Sequence, residues 1–512
     1  MQKKQPNILI ITSDQHRGDC YGFEGRKVRT PHLDEMASMG TRFNACITPN
    51  VVCQPSRASI LTGLLPRTHG VHDNGIDLNP AIGEKGFAGA LAAAGYNTSF
   101  IGKAHFATYH TFQPTGTPEC TTTTRSMSEN WNGPYMGFQH VELMMTGHNY
   151  FLPNKPPEGQ HYERFFHANG MGERRIEQYH TKLPPISTAA QTFNSALPEA
   201  FHNTTWVADR TIDYIKDAAK SDQPFCMWAS IPDPHHPFDA PAPWCYMHHP
   251  DEVDIPEHRT RDFDKRPWWH RASVETDPKG GTAESRRVRR EFSRIDPQTD
   301  QQLREMTANY YGMISLIDHN VGRILLSLQE SGLEEDTIVI FTTDHGDLMG
   351  DHGLYLKGPA HYEGLLRVGM IVKGPGVPSN KVVSEPVSTM DLSPTLIDYA
   401  NASPLSEQHG QSLRPLIETD NASRDFALNE WDLLPGRIGL NLTLRLARTK
   451  THKLTLEQQS GAGEMYDLVN DPHEMQNLFD NPDYKSVQQE LTDMINARPD
   501  DMLPLGTPSG PA

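Results

Sequence analysis

The sequence predicts an α/β fold, a sheet covered by helices on both faces, followed by a smaller C-terminal α+β unit. Three observations carry that expectation. Short, nearly unbroken apolar runs recur at 7–13, 96–101, 224–231 and 337–343, as expected for strands buried on both faces. Helical patterns fall between them, and such alternation builds a layered α/β domain. A chain of 512 residues also exceeds one ordinary domain but accommodates a large domain plus a smaller one.

The elements follow in order. Residues 7–13 (NILIITS) form the first strand. A helix spans 55–64, with Pro55 in its first turn, where the missing N–H costs nothing. An alanine-rich helix at 86–94 stops at Gly95, and a strand follows over 96–101. Residues 204–219 read as an amphipathic helix and 224–231 as the next strand. A long helix covers 301–329, with Gly332 just past its end, before the strand at 337–343 (TIVIFTT). Met390 to Pro394 looks like a helix start. Strand-like pieces at 442–448 and 452–456 and a last helix near 484–497 complete the chain.

This reading gives a main domain over 1–415, a smaller unit over 416–497 and a Pro/Gly-rich tail over 498–512, an arm or a disordered end. Periodicity dissolves in two insertions of the main domain, about 106–200 and 250–300. The first is rich in aromatics, including Trp131, Tyr135, Phe138, Tyr150 and Phe151. Long irregular insertions of this kind are lids, substrate loops or surface decoration. No internal repeat is visible.

The 46 Lys and Arg against 64 Asp and Glu give a net charge of −18, which argues against nucleic-acid and anionic-membrane partners. No apolar stretch approaches a membrane span, and the run from Ile8 to Ile11 is too short for a signal segment. The expected location is the cytoplasm. The six cysteines, Cys20, Cys46, Cys53, Cys120, Cys226 and Cys245, form no C-x-x-C pair and no disulfide framework.

Ionisable residues follow four of the strands. Asp14 follows the first, Lys103 and His105 the second, His235 and His236 the third, and Asp344 and His345 the fourth. Ligand sites of α/β sheets lie beyond the carboxyl ends of the strands, so these residues are expected to share one site. Asp14, Asp344 and His345 suit a divalent cation such as calcium, magnesium or manganese better than a structural zinc. Cys53 is expected just before a helix whose first turn holds Pro55 and Arg57. Free helix N–H groups and a cation there would stabilise an anion and lower a thiol pKa.

The stretch from Cys53 through Gln54, Pro55, Ser56, Arg57 and on to Thr62 and Gly63 resembles the first signature of the type I, formylglycine-dependent sulfatases. Gly95 to His105 resembles the second signature. The similarity extends to the segments around Asp14, Pro31, His235, Asp344, Lys357, Met465 and Asp471, nearly the whole chain. The resemblance implies an alkaline-phosphatase-like large mixed sheet sandwiched by helices. It implies a sulfuric ester hydrolase in which Cys53 is converted to formylglycine by a formylglycine-generating enzyme. One hydroxyl of the hydrated aldehyde attacks sulfur, and removal of the other proton then expels sulfate.

Carried over, Asp14, Asp344, His345 and residue 53 match metal ligands. Arg57 matches the cation holding the hydrate, and Lys103 and Lys357 the lysines on the sulfate oxygens. His105 matches the histidine placed to take the hydrate proton. His235 matches the histidine near the leaving-group oxygen, with Lys357 sharing the acid role. The sequence has Gln15 where common arylsulfatases have a second aspartate, and His345 where they often have asparagine. Both changes resemble the branch of choline sulfatase and phosphonate monoester hydrolase, and leave the metal open between calcium and manganese. In that branch Asn74 matches an asparagine contacting the substrate oxyanion. Gln54 occupies a position where small residues are usual, which bears on recognition by the converting enzyme.

Lys103 and His105 resemble sulfatases more than phosphonate hydrolases, so hydrolysis of a small-molecule sulfate ester ranks first. A phosphonate monoester or phosphodiester hydrolase is the alternative. A non-catalytic metal-holding protein ranks last, because no expected catalytic residue is missing. Assembly of copies through the 498–512 arm is also open.

Overall fold

The computed structural model describes residues 5–109, 111, 113–144, 159–421 and 424–510. Tyr150 and Phe151 lie outside the described residues. The strands are β1 (Asn7–Ser13), β2 (Thr41–Ile47), β3 (Asn97–Gly102), β4 (His140–Leu143), β5 (Lys182–Leu183), β6 (Asn194–Ser195), β7 (Phe225–Ser230), β8 (Thr337–Thr343), β9 (Arg367–Lys373), β10 (Lys381–Val383) and β11 (Val387–Ser388). Four more, β12 (Phe426–Leu433), β13 (Leu442–Thr449), β14 (His452–Glu457) and β15 (Gly463–Asp467), follow.

The main sheet has the order β10–β2–β9–β8–β1–β7–β3–β4, with β11 also on β2. Neighbours β8, β1, β7, β3 and β4 all run parallel, and β9 is antiparallel to β8 and β2. Every residue of β1, β7 and β8 is buried. Alternate side chains serve opposite faces. Ile8, Ile10, Trp228 and Ile340 pack under the Cys53–Thr62, Phe87–Ala93 and Leu392–Tyr399 helices. Leu9, Ile11, Met227 and Phe341 pack under the Asn203–Ala218 and Asp300–Glu330 helices. The expected two-faced mixed sheet is therefore present.

Beyond it, β12 to β15 form an antiparallel meander. The Lys485–Asn496 helix covers one face through Leu491 and Ile495. The other side packs Trp431, Leu433 and Leu444 against Val51 and Val52, directly behind Cys53. Among the described residues no helix is long and apolar enough to cross a membrane, and all six cysteines are free thiols.

Three expectations need correction. Inside the first irregular insertion, β4 joins the main sheet as an edge strand; its four residues are too few for a periodic signal. The second insertion contains the Trp268–Glu275 and Ala283–Glu291 helices. The latter (AESRRVRRE) is too rich in arginine to show an apolar face, yet it is properly started by Thr282, whose hydroxyl accepts from Ser285 N–H at 3.0 Å. The tail is not disordered through Gly510. It lies along its own chain, with Leu503 N–H donating to Arg67 O at 2.8 Å and Ser509 N–H to Gly75 O at 2.7 Å.

Candidate active site

Asp14, Lys103, His235 and Asp344 leave the carboxyl ends of β1, β3, β7 and β8, four adjacent parallel strands, so they emerge at one edge of the sheet. Backbone and side-chain bonds tie these loops together. Asp14 N–H donates to Asp233 O at 2.9 Å and Gln15 N–H to the Asp344 carboxylate at 3.1 Å. Lys103 N–H donates to Ser230 O at 3.0 Å, across a close approach where Gly102 has φ 114° and no room for a Cβ.

Cys53 is the first residue of its helix, not the residue before it; Val52 is the N-cap. Val52 makes no side-chain cap, and Asn74 Oδ1 instead takes the Gln54 N–H of the first turn at 3.0 Å. Arg57, four residues on from Cys53, shares its face. Fully buried, Arg57 donates through Nε to Asp344 Oδ2 at 2.9 Å and through Nη2 to Asp14 Oδ2 at 3.0 Å. Its Nη1 takes Lys103 O at 2.8 Å and Ser230 Oγ at 2.7 Å. One guanidinium thus fixes three of the four loops.

Around the Cys53 sulfur stand His345 Nε2 at 3.2 Å, Lys357 Nζ at 3.2 Å, Asp14 Oδ1 at 3.6 Å and Lys103 Nζ at 3.9 Å. Burial and Asp14 push the thiol pKa up, but Lys103, Lys357 and His345 outweigh them and bring it below its ordinary value. Asp14 behaves alike: burial would raise it, yet Lys103 at 2.5 Å and Arg57 hold it well below the usual carboxylate range.

His235 Nδ1 lies 2.6 Å from the His236 carbonyl, so it carries the ring hydrogen, and Nε2 accepts from Lys357 Nζ at 2.9 Å. Burial, then the charge of Lys357, pushes His235 well below its usual range. The ring is stacked on His236 at 4.0 Å. His105 stacks on Tyr109 at 4.7 Å, and both its ring nitrogens are buried without a partner. Burial and the Lys103 charge keep it neutral, and its φ of 52° is a strained left-handed conformation. Asn74, expected at the substrate, accepts Gln54 N–H at 3.0 Å through Oδ1, beside residue 53. All the expected site residues therefore gather at one place.

The residues fit a divalent cation. Asp14, Cys53, Asp344 and His345 are buried and offer ligand atoms all within 4.8 Å of one another. His345 Nδ1 is 2.8 Å from the Gly346 carbonyl, which puts its hydrogen there and turns the Nε2 lone pair toward the cluster. Gln15 Oε1 is also buried without a partner, on a residue held at φ 63°.

Four further residues support the site without a role assigned to them by the sequence. Asp347 bonds Gln15 Nε2 and accepts Leu356 N–H at 3.1 Å, which sets the loop carrying Lys357. Ser230 holds Arg57 and Tyr109 backs His105. Glu119, inside the first insertion, accepts Phe106 N–H and Ala107 N–H, both at 3.0 Å, and Tyr135 OH at 2.8 Å, which pins the chain after His105. Only Asp347 carried a signal, the Asp-His-Gly-Asp run; a serine, tyrosine or glutamate in a loop carries none.

Residues 6–402 match the sulfatase family, and residues 350–500 match the family described as N-sulphoglucosamine sulphohydrolase, C-terminal. An arylsulfatase of Clostridium perfringens (strain 13 / Type A) is 31% identical over 494 residues, covering 94% of this chain and 92% of the relative. A choline-sulfatase of Rhizobium meliloti (strain 1021) is 26% identical over 508 residues, covering 96% of this chain and 86% of the relative. The solved structure of a phosphonate monoester hydrolase of Agrobacterium radiobacter shares the fold, with a TM-score of 0.75 at 24% identity, over 96% of this chain and 95% of that one. The chain belongs to the sulfatase family of the alkaline phosphatase superfamily and is a hydrolase acting on sulfuric ester bonds.

Proposed function

We propose that the chain hydrolyses a sulfate monoester in the arylsulfatase manner, with formylglycine made from Cys53 as nucleophile and calcium or manganese held by Asp14, Asp344, His345 and residue 53. The observation that carries this reading is the set of groups within 3.9 Å of the Cys53 sulfur: two lysines, one imidazole and one carboxylate. When present, the two groups supply an attacking hydroxyl and a Lewis acid for the sulfuryl oxygens.

The chain's own residues do the rest. Lys103 and Lys357 take the negative oxygens of the sulfuryl group, a preorganised cationic wall. Arg57 keeps residue 53 and both aspartates in place. His105, neutral and with unused ring nitrogens, accepts the proton released at residue 53. The proton for the leaving oxygen comes from the Lys357–His235 pair. Because His235 Nε2 accepts from Lys357, the mobile proton of the pair sits on the lysine, which His235 orients. Asn74, with Oδ1 occupied by Gln54, turns Nδ2 to a substrate oxygen. Cys53 is only 1% exposed, so the formylglycine-generating enzyme must act before this segment folds away.

Mass measurement of the peptide containing residue 53 tests the reading. A converted residue is about 18 Da lighter than cysteine. The converted fraction and kcat should rise together across preparations. An active preparation with wholly unmodified cysteine would overturn the formylglycine assignment. The rival, a phosphonate monoester or phosphodiester hydrolase, uses the same centre and differs in the ester it prefers.

A further inference from the structure

Gln54 stands where the sulfatase signature usually has a small residue, yet it is fully buried in the first turn of its helix. A buried carboxamide has to find both an acceptor and a donor. Gln54 finds them on one short stretch of backbone. Its Oε1 accepts Gly75 N–H at 2.6 Å, and its Nε2 donates to Ile76 O at 3.1 Å. These two backbone partners fix which end of the amide is which. The backbone N–H of Gln54 donates to Asn74 Oδ1 at 3.0 Å. One residue therefore holds Asn74 twice, at its side-chain oxygen and through the backbone of the next two residues.

The same loop is backed by residues 506–510. Ser509 N–H donates to Gly75 O at 2.7 Å, and Ser509 Oγ to Asp77 Oδ1 at 3.1 Å. Asp77 Oδ1 also accepts Thr108 N–H at 2.9 Å and Thr108 Oγ1 at 2.7 Å, in the segment after His105. Gly75 has φ 96°, and a Cβ there would meet Gly510 O at 2.6 Å. The loop is thus clamped between Gln54 and the chain's own residues 506–510. A small residue at position 54 would reach neither Gly75 N–H nor Ile76 O, and both belong to buried residues.

We propose that Gln54 is a positioning residue for Asn74, fixing its Oδ1 and the backbone after it so that Nδ2 faces a substrate oxygen. Gln54 acts through Asn74 and not on the reacting atoms. Its carboxamide is what the loop requires, because Gly75 needs an acceptor and Ile76 a donor from one side chain. The inference rests on the proposed sulfatase reading, in which Asn74 contacts the substrate.

The test is a double-mutant cycle on nitrophenyl sulfate with Asn74→Ala and Gln54→Met, which keeps the side-chain length and loses both hydrogen bonds. Activities are expressed per mole of converted residue 53, measured by peptide mass, because residue 54 adjoins the converted one. Asn74→Ala should lower kcat/KM by about 10²-fold, as for loss of one oxyanion donor. Gln54→Met should lower it about tenfold, and the double variant should stay within about twofold of Asn74→Ala, since both changes remove the same contact. A merely structural role would multiply the two losses. Multiplied losses, a Gln54→Met loss below about twofold, or full activity of Asn74→Ala would each overturn the positioning role and leave the sulfatase reading standing. Should Gln54→Met not fold, Gln54→Glu, which keeps the acceptor for Gly75 and loses the donor to Ile76, runs the same cycle with the same outcomes. Should a folded variant escape conversion, its crystal structure reads the loop directly: Asn74 displaced from the residue 54 N–H is expected, and Asn74 unmoved overturns the proposal. No turnover of any sulfate by wild-type enzyme with residue 53 converted would instead overturn both readings.

Discussion

The two walls of the active site are held by different means. The inner wall, at the ends of β1, β3, β7 and β8, is buried, and its charges are matched: Arg57 against Asp14 and Asp344, Lys103 against Asp14. The outer wall comes from the second insertion and the loops of the C-terminal sheet. There Arg261 and Arg294 are partly exposed and held by backbone carbonyls, while Arg290 and Arg437 pair with Asp277 and Asp73. Matched buried charges cannot move without a large cost, so they fix a reaction geometry. Partly exposed guanidiniums held by carbonyls keep more freedom than buried ion pairs.

If that division is right, inner-wall changes should cost more than outer-wall changes. The largest effect is expected from Cys53→Ala, which should lower kcat on all sulfate esters by at least about 10⁴-fold with the circular dichroism spectrum unchanged. Retained turnover would dissolve the distinction. Next, Lys357→Ala should cost about 10²-fold to 10³-fold on an alkyl sulfate and much less on nitrophenyl sulfate, whose leaving group needs no proton. Equal losses on both esters would make Lys357 an oxyanion holder rather than the proton donor.

Arg57→Met should strand two buried carboxylates and destabilise the fold by about 3–5 kcal/mol in denaturant titration. Arg290→Ala, on the outer wall, should change stability by less than about 0.5 kcal/mol. A pH-dependent effect concerns Glu119, where an insertion residue braces the inner wall. Burial raises its carboxyl to about 7, from an ordinary value of 4.5. Between those values the folded chain holds a proton that the unfolded chain has lost. Stability from this group therefore falls as pH rises from about 4.5 to 7, by about 3 kcal/mol in total. Glu119→Gln should remove that slope, and a wild-type minus variant difference that is flat over this range would contradict the assignment.

The same division explains what was legible in the sequence. Asp14, Asp344 and His345 each end an unbroken apolar run, and Lys103, His105 and Arg57 sit inside recognisable motifs. Parallel strands then guarantee that such residues converge. The outer wall had no comparable signal. Its Ala283–Glu291 helix shows no apolar stripe, because it is anchored through arginine contacts and a capping threonine. β4 owes its strand conformation to pairing with β3, a tertiary effect on only four residues. The Gln15–Asp347 and Glu119 contacts join positions hundreds of residues apart or within one loop, and spacing alone reveals neither.

The central claim is that the inner wall is tuned to sulfuryl transfer. The most direct test is kcat/KM for a nitrophenyl sulfate and a nitrophenyl phosphonate monoester on one preparation. Their ratio does not depend on how much of Cys53 has been converted. The account predicts a ratio strongly in favour of the sulfate, by at least about tenfold. A ratio at or below one would contradict it and assign the same residues to phosphonate or phosphodiester hydrolysis.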